Sequence, residues 1–99
     1  MFKKIFKKKN DSKLINTLKI ELSDVLGRDI SNIDESAEFA SFNIDSFAAF
    51  NFISRLNSVI EDLPLTVFME CTTLKELEAY LIENHNDKIE ELIALADKE

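Results

Sequence analysis

The chain has 99 residues, with 12 Lys plus Arg against 19 Asp plus Glu, a formal net charge of -7, and 45% hydrophobic residues. This is enough for one domain with one core, which excludes wholesale disorder and argues against a deep enclosed active site. A single Cys excludes an internal disulfide, no apolar run approaches the roughly 20 residues of a membrane span, and a cytoplasmic domain is the default expectation.

Charge is divided along the chain. Residues 1–13 hold six Lys and one Asp, a balance of +5, whereas residues 14–99 hold six basic and 18 acidic residues, a balance of -12. The acidic body should repel nucleic acid and attract basic protein surfaces. The Lys-rich leader, residues 1–11, is expected to be frayed and solvated. Its alternative role is contact with an anionic membrane through Phe2, Ile5 and Phe6.

The first helix is expected to start at Asp11 or Ser12, both good N-caps. Leu14, Ile15, Leu18, Leu22, Val25 and Leu26 follow at three- and four-residue spacing, and Gly27 stands where a left-handed residue ends a helix without a Cβ clash. From Arg28 to Ile44 the periodicity breaks, and Ile30, Ile33, Phe39 and Phe42 read as anchors of a long loop. A second helix should run from Asp45 or Ser46 to about Ile60. Its Phe47, Phe50, Phe52, Ile53, Leu56, Val59 and Ile60 cover more than half the circumference, which suits a central helix or one that shows apolar surface to a partner.

Pro64 stops any continuation. A short turn over Thr66–Glu70 would plant Val67 and Phe68 in the core, and Thr73-Leu74-Lys75-Glu76 reads as a capping box. Leu74, Leu77, Tyr80 and Leu81 form the buried stripe of the next helix. Ile89, Leu92, Ile93 and Ala96 do the same for a last amphipathic segment, Asn86 to Asp97. One Gly and one Pro leave almost no hairpin punctuation. The expected fold is all-α: a small four-helix bundle of three main helices and one short helix over residues 12–84, followed by an extra C-terminal helix within residues 85–99.

Catalytic chemistry finds few parts. His85 and Cys71 are the only His and Cys, and their separation matches no metal-ligand spacing, so no metal site is expected. Cys71, beside Phe68 and Met69, reads as a buried inert thiol. One Gly excludes a phosphate-cradling loop, and no base is available for a serine nucleophile. The chain is not expected to be an enzyme.

Asn43-Ile44-Asp45-Ser46-Phe47 stands apart, because a long loop meets an apolar helix there. Asp45 is placed to cap that helix, which leaves Ser46 in the first turn and facing solvent. Backbone dipoles favour an anion at this end, so a phosphodiester on the Ser46 oxygen is well accommodated. Asp-Ser at a helix start is by itself ordinary capping chemistry.

Its surroundings add to it. Phe42 to Phe47, then Ile53 and Leu56, Leu63-Pro64-Leu65, Phe68, and Thr73 to Leu81 together resemble the acyl carrier protein family, over residues 12 to 83. The resemblance implies that Ser46 carries a 4′-phosphopantetheine arm, added from coenzyme A by a separate phosphopantetheinyl transferase, whose thiol holds acyl groups as thioesters. It implies that Asp45 both caps the helix and is recognised by the transferase. It also implies ketosynthase, acyltransferase or other synthase domains as partners.

Two positions depart from the family pattern. Asn43 replaces the usual Gly and tolerates positive φ, while Phe47 replaces a smaller aliphatic residue. No acid lies between Asp45 and Glu61, unlike carriers of dissociated fatty acid synthesis, whose second helix tends to be acidic. The segment Asp62 to Phe68 is closer to carriers of modular polyketide and hybrid assembly lines, and Asp45 favours an acyl or polyketide cargo over a peptidyl one. Phe47 and Phe50, three residues apart, are expected to form an apolar partner contact with Asn51 and Arg55 as polar edges. The alternatives are a carrier of dissociated fatty acid synthesis and a helical interaction module without a prosthetic group.

Overall fold

The computed structural model describes residues 2–97, with side chains from residue 13 to residue 96. Five α-helices follow one another: α1 (Phe2–Leu26), α2 (Ser46–Asn57), α3 (Val67–Glu70), α4 (Leu74–Asn84) and α5 (Ile89–Asp97). No strand is present among the described residues, and one isolated antiparallel bridge joins Glu38 to Thr73. The all-α bundle with a short third helix and an added C-terminal helix is the expected architecture.

The long helix α1 packs against α2, α4 and α5. Its Leu14, Leu18 and Leu22 are fully buried, as their four-residue spacing along one helical face requires. They meet Phe52, Ile53 and Leu56 of α2, Val67 of α3, Leu74, Leu77 and Leu81 of α4, and Ile89 and Leu92 of α5 in a single core. α5 therefore packs on the bundle.

The start of α1 differs from expectation. It begins at Phe2, so positions 11 and 12 lie within the helix and not at its start. The leader contains neither Gly nor Pro, and its lysines are good helix formers, so nothing in the backbone stops the helix at residue 12. The membrane contact suggested for Phe2, Ile5 and Phe6 concerns side chains outside those described. The other end is as expected. Gly27 sits at φ 67°, and Arg28 N–H donates to the Ser23 carbonyl at 3.0 Å, the six-to-one bond of a Schellman turn.

Helix α2 stops at Asn57, not near Ile60. The Asn57 side-chain amide donates to the carbonyls of Ile60 (2.9 Å) and Leu63 (3.1 Å), turning the chain inward where the helix would have continued. Ile60 and Leu63 remain buried. The expected last helix is likewise divided: Asn86–Lys88 form a 3-10 turn, and α5 proper starts at Ile89.

The segment between α1 and α2 contains two 3-10 turns, Ile30–Asn32 and Phe39–Phe42. Ile33, Phe39 and Phe42 are buried, whereas Ile30 is half-buried. Burying such a side chain is worth about 1.5–3 kcal/mol, about as much as fixing the backbone of one or two residues costs, so three anchors cannot hold this segment alone. Backbone bonds to the start of α4 complete the attachment: Phe39 N–H donates to Thr72 O at 2.7 Å and Lys75 N–H to Glu35 O at 3.1 Å. Phe68 closes the core edge, with ring centroids 4.7 Å from Phe39 and 5.9 Å from Phe52.

Candidate functional site

The loop enters α2 through two residues of fixed conformation. Asn43 is the one non-glycine residue at positive φ among those described, at 57°, and its N–H donates to Ala40 O at 3.2 Å. Asn adopts this left-handed region at less cost than most residues, so it serves where glycine would be the simplest choice. Asp45 is extended, and its Oδ1 accepts the Ala48 N–H at 2.8 Å, an N-cap bond. Ser46 is the first residue of the helix and is exposed.

The first turn of α2 carries no acidic side chain. Ala48 N–H is taken by Asp45, while the amides of Ser46 and Phe47 precede the helical ladder and have no intrahelical acceptor. An exposed hydroxyl on the positive end of a 12-residue helix, beside unladdered amides, suits a covalently attached phosphate.

Phe47 is 73% exposed and Phe50 58% exposed, while Phe52, Ile53 and Leu56 face the core. The apolar circumference of α2 thus divides into a buried side and an outward pair of rings near Ser46 in sequence.

A family model described as "Phosphopantetheine attachment site" matches residues 16–81, from α1 to the last turns of α4. The chain belongs to this family. Members of the phosphopantetheine attachment family hold 4′-phosphopantetheine covalently, and the exposed Ser46 hydroxyl at the dipole-positive start of α2 fits that group. The chain is 39% identical over 57 residues to polyketide synthase PksR of Bacillus subtilis, covering 58% of this chain and 2% of the relative. It is 33% identical over 64 residues to polyketide synthase ThaG of Burkholderia thailandensis, covering 65% of this chain and 1% of the relative. The match therefore concerns a very small part of each synthase. No solved structure matches at a significant level.

The remaining expected site residues separate in space. Asn51 is half-buried. Arg55 turns toward α1, where its Nη1 donates to Asp24 Oδ2 at 2.8 Å and to Glu21 Oε1 at 3.0 Å. The hydrogen bond to Glu21 is the main reason its guanidinium is held above its already high ordinary range, opposed by partial burial and aided by Asp24. Arg55 thus ties α2 to α1, and its charge is matched within the bundle. Glu21 and Asp24 are three residues apart on one helix, a spacing visible in the sequence, but nothing there names Arg55 as their partner.

Cys71 is buried, and desolvation first, then the charges of Glu76 and Glu70, push its thiol upward in pKa. Among the described residues no three potential metal ligands converge, and no helix is long and apolar enough to cross a membrane.

The residue that sequence reasoning missed is Arg28. Its Nη2 donates to the carbonyl of Phe42 at 3.2 Å, and its guanidinium carbon lies 5.9 Å from the Phe42 ring centroid. No local pattern announces a bond across 14 residues.

Proposed function

We propose that this chain is a non-catalytic acyl carrier of polyketide assembly. In this reading Ser46 receives 4′-phosphopantetheine from coenzyme A through a separate phosphopantetheinyl transferase. The observation that carries it is Ser46 itself: exposed, first in α2, and on a first turn with no acidic residue beyond the Asp45 cap. When bound, the group supplies a thiol on which acyl chains travel as thioesters. Asp45 orders the turn that presents the hydroxyl and offers the transferase an exposed carboxylate.

Phe47 and Phe50 form the contact for synthase domains such as ketosynthases and acyltransferases, with Asn51 at its edge. Arg55 braces the helix from the other side. Complexes formed this way depend weakly on salt, because α2 has no acidic residue and its arginine is already paired. The polyketide assignment draws on the two polyketide synthase relatives and on this uncharged outward face.

The test is direct. Incubation with coenzyme A and a broad-specificity transferase should add one phosphopantetheinyl mass, read by intact-protein mass spectrometry, and Ser46→Ala should abolish the gain with helical circular dichroism unchanged. Modification of Ser46→Ala would overturn the assignment.

A further inference from the structure

The peptide group between Phe42 and Asn43 is held at both ends. Its carbonyl accepts from Arg28 Nη2 at 3.2 Å, and its N–H donates to Ala40 O at 3.2 Å. This peptide sets ψ of Phe42 and φ of Asn43, and the latter is the left-handed 57°. A side chain in that region carries a cost that rotation of this peptide would relieve. Ile44 and Asp45 alone separate this turn from Ser46, so rotation there would re-aim the hydroxyl and the capping carboxylate together.

Arg28 is well founded for holding the peptide. Its own N–H is fixed to Ser23 O by the turn at Gly27, which anchors the base of the side chain to the end of α1. Its guanidinium meets Phe42 twice, by the hydrogen bond to the carbonyl and by lying over the ring. Phe42 is itself buried, so the contact is made to a part of the loop that does not move freely.

We infer that Arg28 is a positioning residue for modification of Ser46: it pins the Phe42–Asn43 peptide and thereby keeps the serine turn in the form the transferase binds. The inference rests on the carrier reading. A turn ordered in advance spares the transferase complex the cost of ordering it, so the effect belongs in KM more than in kcat.

The experiment compares the full chain with Arg28→Gln and Arg28→Lys. Arg28→Gln should raise the transferase KM for the carrier about fivefold, with kcat changed by less than about twofold. Exchange of the Asn43 amide should accelerate by a similar factor, while amides of α4 and the melting temperature stay near wild type. Arg28→Lys keeps the charge but loses the planar fork, and KM and Asn43 protection should move together in it as in Arg28→Gln.

Either change without the other overturns the inference, as does acceleration of all amides at once. Recovery of KM in Arg28→Lys with an unprotected Asn43 would mean a direct charge contact with the transferase. A wild-type chain that gains no mass overturns the carrier reading instead, and amide exchange then decides the clamp independently.

Discussion

Two helices of this bundle start from a capping side chain, and their first turns have opposite character. At α4, Thr73 accepts the Glu76 N–H at 3.1 Å, and the Glu76 carboxylate returns to Thr72, accepting from its N–H at 2.8 Å and its hydroxyl at 3.1 Å. The return bond falls one residue earlier than in the standard capping box, because the Glu38–Thr73 bridge and the Phe39 bond to Thr72 O draw this strand-like entry alongside the loop. The turn is closed: its own carboxylate lies on the helix end, and Leu74 is buried beneath it. At α2, Asp45 caps in the same way, but Ala48 occupies the place of Glu76, Ser46 the place of Leu74, and Phe47 points outward. Closed chemistry makes a helix end stable; open chemistry leaves room for an anion and a partner.

The contrast can be broken in steps of decreasing size. Replacing Ser46 by Ala removes the hydroxyl from the open turn, and the coenzyme A-dependent mass gain should disappear entirely, while thermal melting stays unchanged. Next, Leu74→Ala should cost about 2–5 kcal/mol in denaturant unfolding because it empties a fully buried site, whereas Phe47→Ala should change stability by less than about 0.5 kcal/mol. Phe47→Ala should instead weaken a synthase complex in a binding titration. A large stability loss in that variant would put its ring in the core and remove the docking proposal.

The two caps should be nearly equal. Asp45→Ala and Thr73→Ala should each cost about 0.5–2 kcal/mol by chemical denaturation. Only Asp45→Ala should also slow modification beyond what its stability loss explains, measured as the rate of mass gain on fully folded protein. The smallest effect is expected from Ala48→Glu, which gives α2 the carboxylate that α4 already has. A negative charge in the first turn favours the unmodified helix by about 0.3–1 kcal/mol and opposes an incoming phosphate by a like amount. Modification should slow about two- to fivefold, with the melting temperature level or slightly raised.

Much of this was readable from local pattern. Leu14, Leu18 and Leu22 are spaced for one helical face and are buried; Gly27 stands where a helix must turn left-handed and does so; Asp45 and Thr73 precede helices and cap them. The start of α1 was not readable in that way. Asp11 and Ser12 have capping side chains, but a cap marks a start only where something interrupts the helix before it, and lysine-rich sequence does not. The end of α2 was missed for a related reason: apolar spacing continues to Ile60, and the turn at Asn57 depends on carbonyls that its side chain finds only after the chain has folded back.

By itself, then, the sequence determined the helical class, the order of the elements, the caps and the serine at the head of α2, because each depends on residues within a few positions of one another. The tertiary structure alone decided which apolar residues of α2 are left outside. Phe47 and Phe52 are alike in composition and differ only in which side of the helix α1 and the common core cover. It also decided that Arg55 is spent on Glu21 and Asp24, and that Arg28 reaches the Phe42 carbonyl. Those contacts join positions 14 to 34 residues apart, and no periodicity encodes them; they exist because the packed core fixes where each backbone lies and leaves each side chain the partners within its reach.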